Sequence, residues 1–257
     1  MVFQEIYQYK SMIQSLVYRD LHGRYKGSFF GFLWTFINPL LQLIVYSIVF
    51  SIILRMGIEN YGLFLFVALI PWIFFASSIQ AGSSCIIDNA NLVNKIYFPR
   101  EILPISIVTS CFINMLYSFI IVIAAVIFYG ENNVYINYIY LPVLFAVEYI
   151  IVLGITLIVS AVTVYFRDLS HILSILLMMW QFLTPVFYPI TMVPKEYVYL
   201  FELNPMTNII SSYRDILFYN TVPDMFLLFQ SFIYGLVLLF FGLILFGILK
   251  KGFSENL

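Results

Sequence analysis

The sequence predicts an all-α polytopic membrane protein, and three observations support that fold class. Of the 257 residues, 63% are hydrophobic and only 10% are charged, whereas soluble globular proteins carry roughly 25% charged residues. The mean hydropathy is +0.99. The apolar residues also gather in runs of about 20, which is the length that a helix needs to cross a bilayer. The net charge of −1, with no long basic run, gives no indication of nucleic-acid binding.

These runs predict six transmembrane helices. Their bounds are about Leu33–Leu54, Leu63–Ser84, Leu103–Tyr129, Leu141–Phe166, Ile172–Tyr188 and Met225–Leu249. With the N-terminus inside, the basic residues of the cytoplasmic segments are Lys10, Arg19, Arg24, Lys26, Lys95, Arg100, Arg167, Lys250 and Lys251. Outside are Arg55, Lys195 and Arg214. Because cytoplasmic loops carry the excess of Lys and Arg, we expect both termini to be cytoplasmic.

The N-terminal segment from Val2 to Leu21 is predicted to form an amphipathic helix before the first span. Its apolar residues share one helical face and are Val2, Ile6, Tyr9, Ile13, Leu16 and Val17. Such a helix is typical of the membrane interface, although the same stripe also fits packing against a soluble partner. The segment lacks the apolar core and cleavage site of a signal peptide.

The loop from Asp88 to Pro104 holds the main cluster of charge in the middle of the chain. Its favourable N-cap residues are Asp88, Asn89 and Asn91. Apolar residues follow at helical spacing, and Pro99 ends the pattern. A helix of about two turns is not stable in water by itself. It must therefore pack on the membrane surface or dock into a partner protein, and the pattern leaves both open.

The segment Pro189–Asp224 is predicted to lie outside, yet it does not resemble a simple loop. It contains two helix-compatible stretches, Tyr197–Leu203 and Met206–Tyr219. Asn204-Pro205 is a favourable start for the second stretch, which is too short to span and carries Arg214. We therefore expect an external re-entrant helical hairpin between the fifth and sixth spans.

The sequence predicts no catalytic residue, no metal site and no cofactor in this chain. A P-loop requires Gly-Lys before Ser or Thr, and no Gly-Lys dipeptide occurs. His22 and His171 are isolated from any carboxylate cluster. Cys85 and Cys111 do not form a Cys-x-x-Cys pair. ATP hydrolysis is therefore not expected here.

Glu148 is the ionisable residue predicted inside a span, where such groups are usually paired or functional. A proton relay needs several such groups, so pairing with a polar residue of the hairpin, such as Arg214, is the favoured interpretation. Aromatic residues are also abundant, with 27 Phe, 20 Tyr and 3 Trp. Their flat faces with polar edges suit sugar rings. Candidate path residues, for which ordinary packing is the alternative, are Trp34, Phe36, Tyr46, Trp180, Phe182, Phe187 and Tyr188.

Several stretches, in order along the whole chain, resemble the permease subunits of ABC-2 type exporters, in the branch that exports lipid-linked polysaccharides. The stretches are Arg24–Ser28, Gly31–Trp34, Asn38-Pro39, Asn91–Glu101, Tyr165–Leu169, Pro185–Pro189 and Leu203–Met206. At Asn94 the chain departs from the pattern, which prefers a basic residue there.

The resemblance implies one transmembrane domain over residues 1–257, in a homodimer that binds two copies of an ATP-binding cassette subunit. That subunit would hold the P-loop, the ATP and the Mg. The substrate implied is an undecaprenyl-diphosphate-linked polysaccharide such as O-antigen, moved outward through the inner membrane. Teichoic acid, capsule or a drug-like amphiphile are alternatives within the family. A self-contained membrane enzyme or an ion-driven carrier is the alternative outside it.

The resemblance also implies roles for particular residues. The cytoplasmic helix Asn89–Phe98, between the second and third spans, would be the coupling helix, with polar contacts to the ATPase at its rim. The residues expected to couple are Asp88, Asn91, Leu92, Val93, Lys95, Ile96, Tyr97, Phe98, Arg100 and Glu101. Arg24 and Lys26 would meet the lipid diphosphate. The hairpin, with Glu148 and Arg214, would form the external gate.

Overall fold

The computed structural model describes residues 7–23, 27–129 and 136–257, and within these ranges the chain is helical, with no strand. Helical stretches long and apolar enough to cross a membrane cover residues 31–53, 61–88, 102–128, 136–165 and 225–256, five in the described ranges. The all-α, multi-span class is therefore confirmed. At the predicted fifth span, Ile172–Tyr188, the helix has 14 residues, a length of about 21 Å at 1.5 Å per residue. This is shorter than the hydrocarbon core of about 30 Å, so six spans remain a prediction.

We number the α-helices of the described residues in chain order. They are α1 Lys10–Gly23, α2 Trp34–Ser47, α3 Tyr61–Asp88, α4 Ala90–Lys95, α5 Ile102–Tyr129, α6 Leu141–Tyr165, α7 Leu169–Phe182, α8 Lys195–Glu202, α9 Pro205–Leu217, α10 Met225–Leu249 and α11 Phe253–Asn256. Short segments of 3-10 helix cover Gly31–Leu33, Ile136–Tyr140, Ile190–Met192 and Lys250–Gly252, and a π-helical segment, Ile48–Ile53, extends α2.

Helix α3 is the centre of the bundle. It is apolar on all sides, which is the pattern of a helix surrounded by other helices, and most of its residues are buried. Helices α2, α5, α6, α7 and α9 all pack against it. Helices α2 and α10, in contrast, leave most of their apolar surface uncovered.

Helices α6 and α10 pack closely because glycines line their contact. A Cβ added at Gly154 of α6 would lie 2.6 Å from the backbone nitrogen of Leu239. A Cβ added at Gly242 of α10 would lie 2.7 Å from the carbonyl oxygen of Gly154. Small residues of this kind allow two membrane helices to approach until their backbones touch.

Helix α1 packs on the bundle through part of the predicted apolar stripe. Leu16 and Val17 are buried, and Asp20 accepts a hydrogen bond from Ser110 of α5. The beginning of the predicted helix, at residues 2–6, lies outside the described residues. The apolar face is therefore directed at least partly to the protein's own helices, and its position at the membrane interface stays a prediction.

Between α7 and α8 the chain is not helical except for the single turn Ile190–Met192. Helix α9 begins at Pro205, as predicted, and the Asn204 side chain accepts a hydrogen bond from the Met206 backbone nitrogen at 3.1 Å. Asn204 also donates to the Thr184 hydroxyl at 2.9 Å. This contact fixes the start of α9 against the non-helical segment. The re-entrant position of the hairpin stays a prediction.

Candidate functional site

The loop between α3 and α5 and the C-terminal segment together form one surface at one end of the bundle. The Lys250 ammonium lies 2.6 Å from the Glu101 carboxylate. The Arg100 guanidinium donates to the Lys250 carbonyl oxygen and, at 2.8 Å, to the Ser254 hydroxyl. We call residues 88–104 the coupling loop. Its second half is held by the residues that follow α10.

Helix α4 is shorter than predicted. Ile96 has extended backbone angles, φ −127° and ψ 135°, so the helix ends at Lys95 and the prediction that it reaches Phe98 is wrong. The Asn89 side chain does not cap it. Instead, Asn89 donates to the Cys85 carbonyl oxygen at 2.8 Å and accepts from Arg19 of α1 at 2.8 Å. The Asn89 side chain, which was predicted to cap the helix, therefore makes tertiary hydrogen bonds instead.

The tip of the coupling loop has an inner anchor and an outer apolar face. Val93 and Phe98 are each 5% exposed and pack in a cluster with α1, α3, α5 and α10. Ile96 is 54% exposed and Tyr97 is 95% exposed. Tyr97 buries almost none of its ring against the rest of the chain. This exposed apolar face is therefore suited to contact with another molecule.

Three of the predicted coupling residues are not available at the surface as expected. Glu101 has a side chain only 3% exposed and binds Lys250, so its prediction as a rim contact is wrong. Val93 and Phe98 point inward, as described above. Asp88 remains exposed, although it accepts a hydrogen bond from Ser84 at 2.6 Å. The predicted residues that are exposed at this tip are Asn91, Lys95, Ile96 and Tyr97, with Leu92 and Arg100 half-buried.

A cleft of about 880 Å³ lies beside the tip, between the coupling loop and the C-terminal segment. Its charged lining residues are Lys95, Arg100, Lys250 and Lys251. All four are cationic. The surface that the coupling loop and the C-terminal segment present together is thus apolar at the tip and positively charged at its side.

The prediction that Glu148 pairs with a polar residue of the hairpin is confirmed, but the partner is Tyr213 and not Arg214. Glu148 is fully buried in α6 and accepts a hydrogen bond from the Tyr213 hydroxyl at 2.7 Å. Consecutive residues of an α-helix project about 100° apart. Tyr213 of α9 therefore faces α6, while Arg214 faces a different neighbour.

Arg214 binds the non-helical segment after α7. Its guanidinium donates to the backbone carbonyl oxygens of Pro185 at 2.5 Å, Val186 at 2.6 Å and Tyr188 at 3.1 Å. It also lies 3.6 Å from the centroid of the Phe64 ring. Arg214 thus supplies hydrogen-bond donors to a backbone that has no helical partners.

The predicted path aromatics fall into separate groups. Phe187 is 1% exposed and packs against Tyr46 at 4.9 Å and Phe182 at 5.3 Å between ring centroids. Its burial places it in the protein core, so within this chain it does not face an open path. Tyr188 donates to the Phe182 carbonyl oxygen at 2.6 Å.

The other three aromatics are apart from that cluster. Trp180 packs on the Phe75 ring at 5.0 Å, and Phe36 packs on Phe32 at 5.5 Å. Trp34 lines a pocket with polar groups between α2, α3 and α5. This pocket was not predicted. The signal for it is a pair of amides four residues apart, Asn38 and Gln42, inside an otherwise apolar run.

Arg24 and Lys26 lie outside the described residues, so their predicted contact with a lipid diphosphate stays a prediction. Among the residues that the structure describes, no group of three or more His, Cys, Asp and Glu side chains is placed to hold a metal. Cys85 and Cys111 are buried and unbridged.

Comparison with known proteins places this arrangement in a family. Residues 11–218 match the family described as ABC-2 type transporter. The chain is 37% identical over 256 residues to the O-antigen export system permease protein RfbA of Myxococcus xanthus, covering 99% of this chain and 98% of that protein. It is 34% identical over 240 residues to RfbA of Klebsiella pneumoniae, covering 93% and 92%. It is 24% identical over 241 residues to the polysialic acid transport protein KpsM of Escherichia coli, covering 92% and 93%.

Proposed function

The chain belongs to the ABC-2 type transporter family, and from that premise we propose that it is the membrane subunit of a polysaccharide exporter. The observation that carries this proposal is the likeness, over almost the whole of both chains, to permeases named for O-antigen export. We propose O-antigen linked to a lipid diphosphate as the cargo. The weaker likeness to a polysialic acid transport protein makes capsule the second candidate.

We propose that the exporter contains two copies of this chain and two ATP-binding cassette subunits, in the inner membrane. ATP and Mg would bind to the cassette subunits, since this chain has no Gly-Lys dipeptide for a P-loop. The largely uncovered apolar faces of α2 and α10 are consistent with contact to lipid and to a second copy. A two-fold assembly would also supply more helices around a polymer-wide route than one chain can.

Both termini would lie in the cytoplasm. Helix α1, the coupling loop and the C-terminal segment meet at one end of the bundle, where Arg19 binds Asn89 and Arg100 binds Ser254. That end also carries most of the Lys and Arg residues, as the cytoplasmic side of a membrane protein does. With this orientation, α7 and the segment after it would form a broken span, the fifth of six in chain order. Helices α8 and α9 would form the external gate.

The coupling loop would receive the motion of the ATPase. Its exposed apolar tip at Ile96 and Tyr97 would enter a groove of the cassette subunit, while Val93 and Phe98 transmit the displacement to the bundle core. Lys95 at the side of the tip would contact acidic groups of the partner. Arg24 and Lys26 would hold the lipid diphosphate near the inner leaflet before the polymer enters.

Copurification tests the coupling assignment. Tyr97→Asp places a charge on the exposed tip, so we expect the cassette subunit to be lost from affinity-purified permease, and ATP-dependent export to stop. Tyr199→Asp is the matched control, because Tyr199 is 66% exposed and lies on α8 of the proposed external hairpin. Normal copurification with Tyr97→Asp, or an equal loss with Tyr199→Asp, contradicts the assignment.

Cargo is tested separately in a strain from which the chromosomal copy is deleted. Labelled polysaccharide should accumulate inside the cell and return to the surface when this chain and its cassette partner are supplied. Replacement of both Arg24 and Lys26 by Gln should reduce export while membrane insertion and assembly with the ATPase stay normal. Lost assembly in that variant would refute the diphosphate role.

A further inference from the structure

A polar pocket lies inside the part of the bundle that is otherwise apolar. It has a volume of about 570 Å³ and is formed by α2, α3 and α5. Asn38 and Gln42 are four residues apart on α2, so they share one helical face. Both side chains are exposed, and neither makes a hydrogen bond within the described part of the chain.

Exposed amides in a membrane helix need an explanation, because polar groups there normally face a partner or a water-filled cavity. The opposite walls of the pocket are mainly apolar, but α3 contributes the polar side chain of Ser77 and α5 contributes that of Asn114. The Asn114 amide oxygen accepts a hydrogen bond from the Thr35 hydroxyl at 3.1 Å, which holds Asn114 at the wall. Three helices of one chain therefore direct polar groups into a single cavity.

The chemistry of the lining indicates the class of ligand. None of the described residues around the pocket is charged, so the lining does not suit a diphosphate, an acidic sugar or a metal ion. Amides both donate and accept hydrogen bonds, as sugar hydroxyls do. Trp34 adds a flat apolar surface, and its ring is held by a 2.8 Å hydrogen bond to the Ser28 hydroxyl. Aromatic faces with a polar edge suit the apolar face of a sugar ring.

We infer that this pocket is a glycan subsite, which binds neutral, hydroxyl-rich sugar rings of the exported polymer through Asn38, Gln42 and Asn114. The inference rests on the proposed function and adds a place where the polymer is held within the membrane. The volume lies within the range of small-molecule sites, about 300–1,000 Å³. A second copy of the chain is a less suitable occupant, since the walls are concave and a copy would have to insert a protruding group.

Photocrosslinking in cells that make the polysaccharide tests the subsite. A benzophenone-bearing residue in place of Gln42 should yield permease adducts that carry periodate-oxidisable sugar. The same residue in place of Ile44, which is exposed on α2 but does not line the pocket, should yield none. An adduct of two permease chains from position 42 would assign the pocket to a second copy. A lipid adduct without sugar would assign it to the bilayer, and either result overturns the inference.

Export rates provide the second measurement. Asn38→Leu combined with Gln42→Leu removes the hydrogen-bonding groups while keeping α2 apolar enough to insert. We expect an initial export rate about tenfold lower, equivalent to about 1.4 kcal/mol, at an unchanged amount of assembled complex. The control pair Leu41→Ala and Val45→Ala lies on α2 outside the pocket lining and should change the rate less than twofold. A wild-type rate in the leucine variant refutes the subsite, whereas absence of export by the unmodified chain refutes the proposed function instead.

Discussion

The close contact of α6 and α10 predicts that one added methyl group at Gly154 destabilises the bundle. A Cβ there would lie 2.6 Å from the Leu239 backbone nitrogen, whereas non-bonded heavy atoms rest at about 3.5 Å. The two helices must therefore separate by about 0.9 Å, and a gap of about 0.5–1 Å forfeits a quarter to a half of each contact energy. Backbone atoms cannot rotate away, so the helices themselves must move.

We expect Gly154→Ala to cost about 1–3 kcal/mol, the usual range for overpacking. For proteins of 150–250 residues, each kcal/mol lowers Tm by about 2–4 °C. The matched control is Gly247→Ala in α10, where an added Cβ meets no atom within 4 Å. A glycine inside a helix costs about 0.5–1 kcal/mol relative to alanine, so the control should keep or raise Tm.

Thermal unfolding of the purified permease in detergent, followed by the loss of the monodisperse chromatographic peak, measures both variants. Gly154→Ala should lower Tm, whereas Gly247→Ala should keep or raise it. This difference is the decisive result, because both substitutions add the same methyl group to a membrane helix. Equal Tm values for Gly154→Ala and the unmodified chain would refute the reasoning. Such a result would mean that α6 and α10 are far enough apart at Gly154 to accept a methyl group.

Three further predictions concern buried polar contacts and are measured by the same thermal assay. Tyr213→Phe removes the donor to buried Glu148 and should cost about 1–3 kcal/mol; Glu148→Leu in the same background should recover part of the loss, and no recovery would contradict the pairing. Arg214→Lys leaves a single ammonium where a guanidinium binds three carbonyl oxygens of the segment after α7. Tm should therefore fall and proteolysis after α7 should accelerate; unchanged proteolysis would count against the contact. Lys250→Ala leaves the Glu101 carboxylate buried without its partner and should cost about 2 kcal/mol or more; Glu101→Ala in addition should offset most of this loss, and simple additivity would argue against the ion pair.

The parts of the fold that depend on local sequence were predictable. Long apolar runs and the Asn204-Pro205 start of α9 act over a few neighbouring residues, and the structure has helices at those places. The end of α4 was not predictable in the same way. Ile96 fits a helical pattern, yet it is extended because the loop must bring Phe98 back into the core.

The partners of buried polar groups depend on how distant helices are oriented. Tyr213 and Arg214 are neighbours in the chain, and the sequence alone does not tell which of them faces Glu148. Likewise, the binding of Glu101 by Lys250 joins residues 149 positions apart. In the sequence, Asn38 and Gln42 stand out as amides inside an apolar run. That they line a pocket depends on where α3 and α5 lie, which the sequence does not tell.

The contacts of Arg214 have a consequence for the turn that follows α7. Non-helical backbone within a membrane protein needs hydrogen-bond donors for its carbonyl oxygens, and water or a neighbouring helix usually supplies them. In this turn the Arg214 side chain supplies them instead. The turn can consequently keep one conformation in either aqueous or apolar surroundings. Because Arg214 belongs to α9 and binds the turn after α7, these two parts are held together, and in the proposed external gate they would move as one unit.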